Sequence, residues 1–237
     1  MKKLFAVIAT LVVTAFAFNA KAQLSGIEGM PPYKLGITVG MNMPWLSGSG
    51  EVSVAGSDLH TNTYTGAYKM TTGFQAGINF MFDPSVWMSV PFTPFVRVEA
   101  KYSMKGSESK ISYLNHVQEE SISTHYVEMP VHFGCAWFIN DDISLMAETG
   151  PYVAFGFSGT CKITQDGVKK PTAGVFDGIL NGNRFDLGWG VQASAMIAKN
   201  YQVHVAYDYG FININKHFLQ NRNLSVGFTW FFESLFE

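Results

Sequence analysis

The stretch HYVEMPVHFGCAWFIND, His125–Asp141, decides how the chain is read. It sets Glu128 four residues before His132, and a carboxylate beside an imidazole is the raw material of a general base or a metal site. The pattern around the pair is that of a strand. Val127, Met129, Val131, Phe133, Cys135 and Trp137 fall on one face, and Tyr126, Glu128, Pro130 and His132 on the other. Four residues of extended chain span roughly 13 Å. Glu128 and His132 therefore share a face without touching, and each needs a partner from a neighbouring strand. Arg97, on the strand before, is a candidate partner for Glu128 if the two stand at one height. Pro130 removes a ladder donor in mid-strand, which predicts a bulge or an irregular edge.

Seven further segments alternate in the same way: Lys34–Met43, Thr71–Phe82, Phe95–Met104, Asp142–Phe157, Arg184–Ile197, Tyr201–Phe211 and Asn223–Phe232. Each is about as long as a tilted membrane-spanning strand, roughly 9–11 residues. The connections alternate too. Pro44–Met70, Gly106–Ser121 and Gly159–Asn183 are long, Asp83–Pro91, Asn140–Asp142 and Lys199–Asn200 are short, and Asn215–Arg222 is intermediate. Long loops at one end and tight turns at the other are the habit of outer-membrane barrels. With eight strands, both termini fall on the short-turn side.

A soluble eight-stranded barrel would turn its apolar face inward and its charges outward. Here the apolar faces carry almost no charge, which a lipid-facing surface requires because a midplane charge costs on the order of 2–4 kcal/mol. Trp137, Tyr201 and Trp230 fall near the turn side and Tyr209 near the loop side, as interfacial aromatics do. Charged residues make up 14% of the chain and aromatics 15%, against roughly 25% charged in ordinary soluble domains. The fold expected is an all-β, eight-stranded antiparallel up-and-down transmembrane barrel with long outer loops and short periplasmic turns.

Lys2 and Lys3, the apolar run Leu4–Phe18 and the small residues Ala20 and Ala22 read as a secretory signal peptide, residues 1–22, ahead of a barrel domain, residues 23–237. Cleavage near Ala22 would place the mature chain in the outer membrane of a diderm bacterium. It would remove Lys2, Lys3 and Lys21, leaving 13 of 16 basic residues against 18 acidic ones, a net charge of −5. That balance argues against a nucleic-acid partner. Cys135 falls on the lipid face near the turn side and Cys161 in a long outer connection. Two thiols at opposite ends cannot bridge, so both are expected free.

Several pieces are similar to the PorT-like outer-membrane barrel family: KLGITVGMN, TGFQAGINF, VEAKYSMKGS, HYVEMPVHFG, ETGPYVAFG, RFDLGWGVQASA and YDYGFININ, with KYSMKG and YVEMP the most specific. They stand in order, and the resemblance as a whole runs from about Lys34 to Phe232. The chain departs from the usual barrel end by continuing through ESLFE after its last apolar-alternating strand. The resemblance implies an eight-stranded outer-membrane barrel, and some members assist protein secretion across that membrane.

An interior this narrow is filled by its own side chains. The inward charged and imidazole groups are Arg97, Glu99, Lys101, Glu128, His132, Glu148, Arg184, Asp186, His204 and Asp208. Buried charges must be paired or hydrogen-bonded, so these residues are expected to form a structural polar network plugging the lumen. The sharper reading makes Glu128, His132, Glu148, His204 and Asp208 a proton or metal site. A metal would want several ligands at one level, and the two histidines lie on strands far apart in ladder order. No metal or cofactor is therefore expected. A barrel enzyme acting on lipid or peptide would use rim residues near His60, His116, His125 or His217, none of which sits in a nucleophile motif. The function expected is a non-enzymatic barrel embedded in membrane lipids that contacts other envelope or secretion proteins, in secretion assistance or adhesion. A diffusion channel is disfavoured by strand number.

Overall fold

Alternation at every second residue builds eight strands: β1 Tyr33–Ser47, β2 Gly73–Phe82, β3 Thr93–Tyr113, β4 His116–Phe138, β5 Ile143–Gln165, β6 Phe185–Ile197, β7 Tyr201–Asn213 and β8 Gln220–Phe232. The computed structural model describes residues 33–52, 62–65, 68–82, 93–113, 116–177, 182–214 and 219–232. Residues 1–22, expected to be a signal peptide, the turn around Asp83–Pro91, His60, His217, the side chain of His116 and the ESLFE tail lie outside the described residues.

Each strand pairs antiparallel with the next, and β8 closes the ring on β1, from Leu35 opposite Phe232 to Ser47 opposite Gln220. Following paired residues once around fixes the geometry. The register runs from Thr93 through Ala136, Met146, Ser194, His204, Gly227, Gly40 and Gln75, and returns to β3 at Ser103. The stagger is ten residues (103 − 93). Eight strands with that stagger tilt by roughly 43° and enclose a barrel of about 8 Å radius.

Faces follow from the pleat. Thr38 is 2% exposed, while Val39 beside it is 52% exposed. The exposed residues of the outward face include Ile37, Met41, Phe133, Leu145, Val191, Val203 and Phe228. Trp137, Tyr201 and Trp230 lie toward the turn end, and Phe74, Trp189, Tyr209 and Phe211 toward the other. The two girdles stand roughly 25 Å apart along the axis, the height of an outer-membrane apolar band.

Inward glycines make room for large neighbours. A Cβ on Gly190 would stand 2.9 Å from both Asp208 Oδ1 and His132 Nε2. One on Gly188 would meet the Tyr152 ring, one on Gly156 the Phe176 ring, and one on Gly227 the His204 imidazole. Small inward positions thus admit bulky side chains from other strands and from the β5–β6 connection.

All three expected long loops hold strands: within Pro44–Met70, Ser49–Val52 pairs with Asn62–Thr65, and the other two extend the barrel strands themselves. β3 runs to Tyr113, β4 starts at His116, and their pairing is unbroken from Lys101–Glu128 to Tyr113–His116. β5 runs to Gln165, turns through Asp166 (φ 51°) and Gly167 (φ 79°), and pairs back through Val168–Lys169. Asp-Gly in left-handed conformation is the favoured two-residue hairpin turn. At 21 to 23 residues, each of these strands rises roughly 70 Å along its own axis. They therefore project beyond the outer girdle as a three-stranded blade. The sequence hides this because the apolar signal stops where the bilayer does, while backbone pairing continues.

Pro130 marks no bulge. The β3–β4 register holds on either side of it, with Val98 opposite Val131 and Lys101 opposite Glu128. The irregularity lies at the membrane exit. His125 pairs Ser158 whereas Tyr126 pairs Gly156, so Phe157 is an extra residue on β5. That bulge flips the faces beyond it, which turns Cys161 inward and Lys162 outward.

Val39 lies near the midplane of the apolar band. Val39→Arg is expected to lower stability in lipid vesicles by about 2–4 kcal/mol in a urea titration. Val39→Leu should leave it unchanged.

Candidate functional site

The lumen is layered. At the turn end, Met81, Phe95, Ala136, Met146, Met196 and Phe231 form an apolar floor. At the outer end, Leu46, Ile122, Tyr126, Cys161, Val175, Phe176, Ile214 and Leu219 belong to an apolar cap, with Tyr68 and Ile163 packed on it. Val175 and Phe176 come from the connection between β5 and β6, which folds back into the mouth. Val175 N donates to Gly159 O (3.1 Å), and the Arg184 guanidinium lies over the Phe176 ring (4.9 Å) and pairs with Asp177.

Between floor and cap sits a polar midsection built from every strand. Near the floor, Arg97 Nε meets Glu148 Oε2 at 3.2 Å, and Gln192 donates to the other Glu148 oxygen. The Arg97 guanidinium also rests near the Phe95 and Phe231 rings (5.8 and 6.0 Å), joining the ion pair to the floor. Higher up, Glu128 takes Lys105 in a close ion pair and Lys101 at 3.7 Å. Lys105 lies 4.0 Å from Asp186 and over the Tyr152 and Tyr126 rings (4.9 and 5.5 Å). Asp186 accepts from Asn221 (2.9 Å) and the Tyr152 hydroxyl (3.2 Å).

Uncharged groups complete the layer. Asn223 donates to Asp208 (3.3 Å), Asn42 to Ser103 (3.0 Å) and Asn79 to Thr38 (2.6 Å), and the Thr38 and Thr229 hydroxyls meet at 2.8 Å. All of these residues are buried. Ion pairs this dry are held by mutual attraction against a desolvation cost of several kcal/mol per ion. Neutral donors reinforce the acidic partners, as Gln192 does at Glu148 and Asn221 and Tyr152 do at Asp186.

The barrel geometry finds its counterpart in a family match over residues 32–216. The chain belongs to the outer membrane protein beta-barrel domain family. It is therefore an outer-membrane protein of a Gram-negative bacterium. Solved barrels resemble it in fold. The attachment invasion locus protein Ail of Yersinia pestis, solved with the heparin analogue sucrose octasulfate, shares 13% identity at a TM-score of 0.39, covering 85% of this chain and all of its own. The outer membrane enzyme PagL shares 14% at 0.43, covering 83% of this chain and 98% of its own. OprG from Pseudomonas aeruginosa shares 11% at 0.42, covering 88% of this chain and all of its own. No curated protein matches the sequence.

Within this family barrel, the residues singled out from sequence distribute unevenly. Arg97 and Glu148 form the lower ion pair, and Lys101, Glu128 and Asp186 belong to the upper cluster. Arg97 therefore pairs with Glu148 and not with Glu128. Glu99 is buried opposite Asn79, and Asp208 is held by Asn223. His132 and His204 are buried over Gly190 and Gly227. Arg184 is no lumen residue. It precedes the first pair of β6 and sits at the outer rim, donating to Gly156 O (3.1 Å) and Phe157 O (3.3 Å). Among the described residues no group of three or more His, Cys, Asp or Glu could hold a metal ion.

Lys105 is the charged network member that the sequence reading missed. It continues the inward series Arg97, Glu99, Lys101, Ser103, and was lost only because β3 was ended at Met104. Cys161 lies in a strand and not in a loop. Beyond the girdle, burial pushes its thiol up to about 12, helped by Glu120, whose carboxylate lies 3.3 Å away. Both cysteines are free.

Lys105→Met leaves Glu128 and Asp186 short of a cation and is expected to cost about 3–5 kcal/mol in urea unfolding. Adding Glu128→Gln should restore part of that loss. A neutral single variant would show that the cluster contributes nothing. At pH 8 a soluble alkylating reagent should leave Cys161 unmodified in the folded protein and modify it after denaturation. Rapid modification in the folded state would contradict the sealed cap.

Proposed function

We propose that the chain is a non-enzymatic, closed barrel that anchors a rigid sheet at the cell surface and contacts envelope partners through its tip. The supporting observation is the division of labour along β3, β4 and β5. Their inner halves complete a lumen filled from floor to cap, and their outer halves build a blade that spanning the membrane does not require. The blade is braced and not loose. Tyr68–Lys69 pairs along β3, and Val168–Lys169 and Ala173–Gly174 pair along β5. At its tip, Val168 is 62% exposed, with Gln165, Lys169 and Lys170 exposed around it. These groups stand at the end of the sheet farthest from the bilayer, where a partner would meet them first.

The resemblance to PorT-like barrels makes assistance of protein secretion the first task, and surface adhesion the second. An enzyme would require nucleophile, base and acid to converge at the rim. Of the rim histidines, His125 is engaged by the Tyr102 hydroxyl at its Nδ1 (2.6 Å).

A photo-cross-linking residue placed at Val168 in intact cells is expected to yield discrete protein adducts, and one at Val39 on the lipid face none. Absence of adducts at Val168, or release of fatty acid or peptide fragments by the purified barrel, would overturn this reading.

A further inference from the structure

The outward face of β4 and β5 changes chemistry within one or two residues of the outer girdle. At the girdle, Tyr102 bonds His125 (2.6 Å), its ring lies 5.0 Å from that of Phe74, and Phe157 lies 6.2 Å from both Tyr102 and His125. Directly above, Ser123 stands between Gly106 and Thr160, and Ser121 between Glu108 and Lys162. Ser158 pairs with His125 itself. Ser158, Thr160, Lys162 and Glu108 are exposed, and Ser121 and Ser123 partly so.

Height fixes what this face meets. At the barrel's tilt each residue climbs roughly 2.4 Å along the axis, so Ser123 and Thr160 stand within about 10 Å of the girdle. The polar layer of a bilayer adds roughly 5–8 Å beyond the hydrocarbon on each side. The blade's edges carry the pairing strands named above, and its inward face packs on the cap. The outward face is a direct continuation of the lipid-facing surface, and it looks sideways at whatever surrounds the barrel at that level.

We infer that this face binds the phosphorylated sugar headgroup of an outer-leaflet glycolipid. Hydroxyls both donate and accept, so Ser123, Ser158 and Thr160 match the alternating donors and acceptors of a sugar ring. Lys162, at the top of the same patch, supplies the cation for a phosphate. Glu108 accepts from sugar hydroxyls on the β3 side. The girdle rings below hold the acyl chains at the height where the headgroup begins. The inference stands apart from the partner reading, which uses the tip, so either can fail alone.

The test titrates detergent-solubilised full-length protein with short-chain lipopolysaccharide. The triple variant Ser123→Ala, Thr160→Val, Lys162→Gln is expected to bind at least tenfold more weakly with unchanged thermal unfolding. Unchanged affinity would overturn the inference. Competition by inorganic phosphate alone at equal concentration would assign a free-anion site and overturn the glycolipid. If the triple variant unfolds, single-cysteine reporters decide. In chains with Cys135→Ser and Cys161→Ala, maleimide modification of Ser123→Cys should slow about tenfold when lipopolysaccharide is added to phosphatidylcholine vesicles. Modification of Gln165→Cys at the tip should not slow. Equal slowing at both, or at neither, would contradict the site.

Discussion

Closure of eight strands with a ten-residue stagger fixes how much room the interior has, and the other features of this barrel follow from that limit. A radius of about 8 Å leaves space for side chains and little else. Large inward groups are admitted only where a neighbouring strand gives way. Gly190 receives His132 and Asp208, Gly188 receives Tyr152, and Gly156 receives Phe176. The glycines that look like weak strand formers are the positions that let bulky partners in. A side chain at Gly188 would meet the Tyr209 carbonyl as well as the Tyr152 ring, so backbone and not only rotamer would have to shift.

A filled interior that is also polar must satisfy itself. Arg97 with Glu148, and Lys105 and Lys101 with Glu128, are placed under 10% exposed in a site closed by an apolar floor and an apolar cap. Exclusion of water strengthens each attraction and raises the cost of losing any partner. The same pairing ties strands distant in sequence, since Arg97 on β3 meets Glu148 on β5 across β4. The network thus braces the lower ends of the three strands whose upper ends form the blade. Rigidity at the surface is anchored in the lumen.

The eight spanning segments were legible because lipid enforces strict alternation over the width of the bilayer. Where that enforcement ends, legibility ends too. Gly106–Ser121 reads as a loop because Glu108, Lys110 and Ser121 face polar surroundings, while the backbone ladder that makes it a hairpin leaves no mark on residue type. Arg184 was assigned inward by extending the alternation one residue past the pairing of β6. The single inserted residue at Phe157, which reverses the faces above it, has no sequence signature. Asn42, Asn79, Asn223 and Gln192 carry no charge to mark them, yet their amides supply many of the bonds of the polar layer. Lys105 was recoverable, since the inward period of two runs unbroken from Arg97 to Lys105.

A lumen filled by its own side chains is closed at both ends. Single-channel recording of the purified full-length barrel in a planar bilayer tests that closure directly. The expected result is insertion without steady conductance steps at any holding potential. Reproducible ohmic steps that scale with salt concentration would show a continuous water path past Phe95 and Phe176, and would contradict the sealed interior.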